Sequence, residues 1–230
     1  AVPVPARGST HIREHRRLLE LLEDRFGVEI EKPSDWRVER EEREYLLSDL
    51  IRVLSHFCAE SFRSRGFASE RVLHLPSTVA LERFAATAWA IDARRARAGA
   101  RAQLRVLYVG SVCPRKGEWC LRTVCAALAG EVSFRVVGEE LGSRLGPGWP
   151  SVVERIGRVA EADLPVHYAW ADVFFFPSVE EGLPAVLLQA ALSGLYLLTT
   201  RNAGGADVLR AAGGELLEWD DAVGFAAALR

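Results

Sequence analysis

From Leu104 onward, apolar runs of strand length alternate with stretches of helical periodicity, and no other feature constrains the fold of this chain as tightly. LRVLYV (104–109), SFRVVG (133–138), VVERIG (152–157), DVFFFP (172–177) and LYLLTT (195–200) read as buried strands. Helical patterns separate them at EWCLRTVCAALA, at Leu164 to Ala169 and from Pro184, and a last βα pair runs from Gly205 to Leu229. Continuous apolar strands joined by helices predict a parallel sheet covered on both faces, an α/β doubly wound Rossmann-like domain over about residues 101–230.

The first hundred residues read differently. HIREHRRLLELLEDRF suits an amphipathic helix, EREEREYLLSDL a charged one, LIRVLSHF a strand, CAESFRSRGF a helix closed by Gly66, and RVLHLP a second strand. Residues 77–103 are rich in Ala and Arg, lack strand periodicity and are expected to connect two lobes. Two strands are too few for an independent sheet, so residues 1–100 are expected to be the incomplete end of a larger lobe plus a linker. A chain that opens AVPVPARGSTH, closes FAAALR and contains no methionine is expected to be part of a longer protein.

With 230 residues, 49% hydrophobic and a formal net charge of -2, the chain describes a soluble globular protein with no general attraction for nucleic acid. No run of about 18 apolar residues provides a spanning helix. Cys58, Cys113, Cys120 and Cys125 lack zinc-site spacing and are expected to be reduced thiols in a cytoplasmic protein. The basic residues are almost all arginine, with Lys32 and Lys116 the only lysines; Asn202 is the only asparagine, and Gln103 and Gln189 the only glutamines.

In open α/β sheets, ligands bind outside the carboxyl ends of the strands. Glu180 and Glu181 follow DVFFFP at that end, ahead of a helix whose first N–H groups, those of Gly182, Leu183, Ala185 and Val186, attract an anion. Carboxylates beside an anion site suggest a ligand carrying both phosphate and hydroxyl groups, whereas a capping pair on a solvated loop is the competing reading. GSVCPRKG sets Arg115 and Lys116 after the first strand of the same sheet, where two cations can neutralise a diphosphate. Neither the Walker pattern nor G-x-G-x-x-G is present.

LYVGSVCPRKGEWCLRTVCAAL, RVVGEE, RIGRVAEADLPVHYAWADVFFFPSVEEGLPAVLLQAALSG and LLTTRNAGGADVL, in this order and spacing, resemble the carboxyl-terminal domain of glycosyltransferase family 4, retaining enzymes of the two-lobed GT-B fold. EYLLSDLIRVLSHFCAESFRSRGFASERVLHLPSTVALERF resembles the end of that family's first lobe and its linker, and RGSTH a segment that some members carry in the cleft. The resemblance implies transfer of a sugar from a nucleotide-diphosphate donor with retention at the anomeric carbon, in glycan or polysaccharide synthesis, with no metal cofactor. By this resemblance Glu181 contacts the transferred sugar, Lys116 and Arg115 face the diphosphate, and Gly182, Leu183 and Pro184 face the donor. Gln189 stands where the family has a ribose-binding glutamate, and Ser111, after Gly110, where many members have an arginine. Gly138, Glu139, Arg158 and Val159 adjoin the nucleotide base, and Arg7, Ser9 and His11 are possible cleft residues. Thr78 and Ala80 replace the usual Gly and Asp of the linker.

No D-x-D metal motif occurs, and Asp220-Asp221 reads as a helix cap. His15 reads as part of a polar helix face, and His56, His74 and His167 as structural. The alternative from another class is a degenerate, non-catalytic nucleotide-sugar-binding module; a nucleotide-sugar epimerase is a remoter rival. The missing lobe would carry acceptor contacts and any peripheral attachment to the inner face of the membrane.

Overall fold

The computed structural model describes residues 6–142 and 144–230; the opening AVPVP and Ser143 of the Gly/Pro-rich loop lie outside the described residues. Two parallel sheets organise it. The first has three strands, β1 (Ala6–Arg7), β2 (Ile51–Val53) and β3 (Val72–His74), in the order β1-β2-β3. The second has six, β4 (Arg105–Val109), β5 (Ser133–Val137), β6 (Glu154–Gly157), β7 (Val173–Phe176), β8 (Tyr196–Thr200) and β9 (Gly214–Leu217). Their spatial order is β6-β5-β4-β7-β8-β9, all parallel.

This order turns back between β4 and β7. The first three strands run outward on one side of β4 and the last three on the other, leaving a crevice at the carboxyl ends of β4 and β7, the position where doubly wound sheets take ligands. The expected Rossmann-like α/β fold is therefore present. β7 is central, so its side chains are buried on both faces: Phe174, Phe175 and Phe176 are fully enclosed, each burial contributing about 2–3 kcal/mol. Phe176 stacks on Tyr108 of β4 at 5.8 Å, which ties the two crevice strands together.

In the first half, α1 (Ile12–Phe26) buries Ile12, Leu18, Leu19 and Leu22 along one stripe and ends at Gly27, whose left-handed φ of 63° lets its N–H reach the Glu23 carbonyl. Next come α2 (Asp35–Leu47), capped by Ser34, and α3 (His56–Arg63), capped by Ser55. The segment read as one strand from Leu50 to Phe57 divides: β2 stops at Val53, and Ser55 accepts the Cys58 N–H to start α3, a local cap that apolar periodicity did not reveal. β1 was not expected; two residues have no periodicity to read.

The connector holds α4 (Leu81–Phe84) and α5 (Ala88–Gly99). Arg94 of α5 donates to the carbonyls of Ala171, Ser193 and Tyr168 at 2.7–2.9 Å, which docks the connector on the six-stranded half. The remaining helices are α6 (Glu118–Ala127), α7 (Leu164–Trp170), α8 (Ala185–Leu192), α9 (Gly205–Val208) and α10 (Ala222–Ala228). Asp221 accepts the Gly224 N–H and caps α10, as read from the sequence, while Asp220 pairs with Arg25 of α1 at 2.9 Å. Among the described residues no helix is long and apolar enough to cross a membrane. The four cysteines are unpaired, and burial raises the Cys58 thiol to about 12.

Candidate functional site

The loops after β4 and β7 meet in the crevice. Val179 N–H donates to the Arg115 carbonyl at 2.9 Å and the Ser178 hydroxyl to the same oxygen at 3.2 Å, so the two loops are joined at one carbonyl by a backbone and a side-chain donor. Gly117, at φ 78°, closes the turn Pro114–Lys116; a Cβ there would stand 2.0 Å from the Pro177 carbonyl oxygen, a separation that only glycine permits. The geometry presents Arg115 and Lys116 to the β7 side.

There they converge on Glu181. Its Oε1 lies 2.9 Å from Arg115 Nη1 and 3.2 Å from Lys116 Nζ, and its backbone N–H donates to the Asn202 carbonyl at 3.0 Å. Asn202 also donates its side-chain amide to the Val179 carbonyl at 2.8 Å, which gives the chain's only asparagine a bracing role. Burial works against the Arg115 charge, and the Glu181 and Glu180 carboxylates more than offset it, raising its pKa. Leu183 is buried, and Pro184 leads into α8. Among the described residues the N–H groups of Gly182, Leu183, Ala185 and Val186 have no backbone acceptor; Gly182 and Leu183 are buried, whereas Ala185 at the start of α8 is exposed. Two cations, one carboxylate and free N–H groups can together bind a ligand that carries anionic and hydroxyl groups.

Glu180 faces the other way. It is fully buried and accepts from Thr10 N–H at 3.0 Å, from the Thr10 hydroxyl at 2.9 Å and from the Ser9 hydroxyl. His15 Nδ1 stands 3.0 Å from its Oε2, and Arg115 Nη1 3.6 Å. Burial would raise this carboxyl, but His15, Ser9 and Thr10 outweigh it and hold its pKa down to about 2. The pair Glu180-Glu181 is thus divided, one carboxylate locking RGSTH to the β7 loop and the other facing the cations. Gly182 completes that junction, since a Cβ there would lie 2.2 Å from the Gly8 carbonyl oxygen.

Two histidine readings change. His15 is no solvated face residue; α1 aims it at Glu180, beside the Ser9 hydroxyl at 2.9 Å. His11, expected to face the cleft, is buried among Tyr45, Phe62 and Phe67 with ring centroids 5.0–5.8 Å away, and its Nδ1 caps α1 by accepting the Arg13 N–H. Burial lowers its pKa to about 4. Arg7 also leaves the cleft, paired with Glu41 at 2.7 Å. Of the three RGSTH candidates only Ser9 reaches the crevice loops.

A groove of about 850 Å³ lies along the carboxyl ends of β5 and β6 and is lined by Gly138, Glu139, Glu140, Arg155, Gly157 and Arg158. Gly138, at φ 146°, meets the β4 loop so closely that a Cβ would stand 1.9 Å from the Gly110 carbonyl oxygen. Ser111, next in that loop, accepts the Tyr108 hydroxyl on its carbonyl at 2.9 Å. Val159 packs against the core instead of lining the groove. Glu140, which the sequence did not single out, collects Arg122, Arg155 and Trp149 at 2.9–3.1 Å. Gln189 is buried on α8, and its Oε1 accepts the Tyr168 hydroxyl at 2.9 Å, so the amide oxygen is engaged inside the fold instead of facing the groove.

A family model described as glycosyl transferases group 1 matches residues 103–230. The GDP-mannose-dependent alpha-(1-6)-phosphatidylinositol monomannoside mannosyltransferase of Mycolicibacterium smegmatis is 30% identical over 175 residues, covering 68% of this chain and 45% of that protein. HepE of Anabaena, in complex with UDP and glucose, superposes with a TM-score of 0.68 at 19% identity over 98% of this chain and 60% of that one. Sucrose-phosphate synthase of Thermosynechococcus elongatus gives 0.69 at 19% identity, over 98% and 57%. The chain spans about half the length of the relatives it matches.

Proposed function

The chain belongs to the glycosyl transferases of group 1, and on that premise we propose that it forms the donor side of an enzyme that moves a sugar from a nucleotide-diphosphate sugar to an acceptor, retaining the anomeric configuration. The observation that carries this reading is the convergence of Arg115, Lys116 and Glu181 at the β4/β7 crevice, beside the open start of α8.

The diphosphate sits on Arg115, Lys116 and the N–H groups of the loop leading into α8, which Pro184 itself lacks, and the nucleoside runs toward the groove at β5 and β6, past Gly110, Ser111 and Gly138 to Glu139 and Arg158. Entry of the diphosphate takes over the two cations and releases Glu181 to accept hydrogen bonds from sugar hydroxyls. When the anomeric C–O bond breaks, its electron pair stays on the departing diphosphate, the acceptor oxygen bonds to the anomeric carbon on the same face, and the hydroxyl proton passes to the departing diphosphate oxygen. Fixed cations and N–H dipoles stabilise that added charge more than they stabilise the ground state. The same groups do this without a metal ion. The acceptor hydroxyl enters from the first half, where Ser9 and His15 border Arg115 through Glu180. We assign the reaction to glycan or polysaccharide assembly in the cytoplasm, at the inner face of the membrane; the phosphatidylinositol monomannoside named for the mycobacterial relative supports the glycan part of that reading alone.

A second reading, a nucleotide-sugar-binding module without transfer, is favoured by one observation: the amide oxygen of Gln189 is committed to Tyr168. Calorimetric titration with UDP, GDP and ADP tests binding, and an assay for transfer of the labelled sugar separates the two readings. Saturable binding of one nucleotide, weakened about tenfold or more in Lys116→Ala, is expected. Equal binding by Lys116→Ala and the unmodified chain would overturn the diphosphate assignment.

A further inference from the structure

At the junction between the halves, three side chains that the transfer reading does not use come together. His56 opens α3, His74 ends β3, and Asp207 lies on α9 of the six-stranded half. One ligand atom from each lies within 4.8 Å of the others. The His56 N–H donates to Asp207 Oδ2 at 2.9 Å, and His56 Nδ1 touches Oδ1. The two imidazoles approach with ring centroids 4.2 Å apart at an interplanar angle of 61°. His74 Nε2 is buried and has no hydrogen-bond partner. A simple ion pair between His56 and Asp207 leaves both that orphan nitrogen and the close approach of a second imidazole unexplained.

We propose that His56, His74 and Asp207 bind one transition-metal ion of the Zn²⁺ class, which clamps the two halves of the molecule together. Two imidazole nitrogens and one carboxylate oxygen suit Zn²⁺, Co²⁺ or Ni²⁺ better than the hard, oxygen-seeking Mg²⁺ or Ca²⁺. Ligand atoms about 2.1 Å from a shared ion stand about 3–3.5 Å apart. The His56 ring is 48% exposed, so it has room to turn and part its Nδ1 from Asp207 Oδ1 by the distance that a shared ion requires. The ion gives the buried His74 nitrogen its partner. Its position has a mechanical consequence: α9 starts just beyond Asn202, whose carbonyl holds the Glu181 N–H, so the clamp joins the first half to the segment that supports the β7 loop.

The test uses the untagged chain, stripped with a chelator and titrated with Zn²⁺ and separately with Co²⁺. One equivalent is expected to bind, raise the thermal unfolding midpoint, and give Co²⁺ bands of a nitrogen and oxygen site without thiolate charge transfer. His56→Ala, His74→Gln and Asp207→Asn are each expected to weaken binding about tenfold or more. Because His56 is exposed, His56→Ala carries the test if circular dichroism shows the His74 variant unfolded. Absence of stoichiometric binding, equal binding by folded His56→Ala, or a thiolate spectrum abolished by Cys113→Ser would overturn the proposal. None of these readouts depends on sugar transfer.

Discussion

The Thr10 backbone N–H and hydroxyl both donate to one oxygen of Glu180, at 3.0 and 2.9 Å, across 170 residues of chain. This contact makes the β7 loop a shared element of both halves, since the next residue, Glu181, faces Arg115 and Lys116. A buried carboxylate satisfied by several donors is costly to disturb. Glu180→Gln keeps the volume but loses the charge and is expected to destabilise the fold by about 3 kcal/mol, read from denaturant midpoints at neutral pH.

Glu180 also sets an acid limit. Its folded pKa, about 2, lies below the ordinary glutamate value near 4.3, so its contribution is complete above about pH 4.3 and is lost as pH falls toward 2. Denaturant midpoints should decline through that window in the unmodified chain and stay flatter in Glu180→Gln.

His11 acts at milder pH. Buried with a pKa of about 4 against about 6.5 when unfolded, it makes the unfolded chain the better proton acceptor between those values. Stability is therefore full above about pH 6.5 and falls as pH drops toward 4. His11→Leu should lose about 1 kcal/mol at neutral pH, from the missing cap on α1, and remove this part of the slope.

Glu181 occupies the cations that the proposed diphosphate needs. Glu181→Gln should free Arg115 and Lys116, tightening a nucleoside diphosphate several-fold while weakening the corresponding nucleotide sugar, which loses its hydroxyl acceptor. Parallel calorimetric titrations with the two ligands check this opposite response; weakening of both would show that Glu181 orders the loop instead.

Gly182→Ala sets a methyl group 2.2 Å from the Gly8 carbonyl oxygen and should cost about 1–3 kcal/mol by forcing RGSTH away from the β7 loop. Gly99→Ala, at the end of α5 with open space around it, should be neutral or slightly stabilising. Thermal midpoints compared within the pair isolate the steric effect.

Much of the six-stranded half was legible in the amino-acid order. Continuous apolar runs such as VFFF have only one stable use, a strand buried on both faces, and the loops that follow them must lie at one end of a parallel sheet. Arg115, Lys116 and Glu181 therefore fall at the carboxyl ends of β4 and β7 by their place in the sequence alone. The first half was less legible, because β1 has two residues and β2 and β3 three each, too short for periodicity.

Tertiary structure alone decided what each polar side chain does. Two adjacent glutamates look alike in sequence, yet the backbone turns one toward Thr10 and the other toward the cations. His11 and His15 lie on the same helix start, and packing sends one into an aromatic cage and the other to Glu180. Gln189 stands eight residues after Glu181 in the sequence, and α8 directs its oxygen to Tyr168. The physical reason is range: burial and strand formation follow from local apolar content, whereas the partner of a carboxylate, an imidazole or an amide is chosen by whatever the folded chain carries within about 3 Å of it.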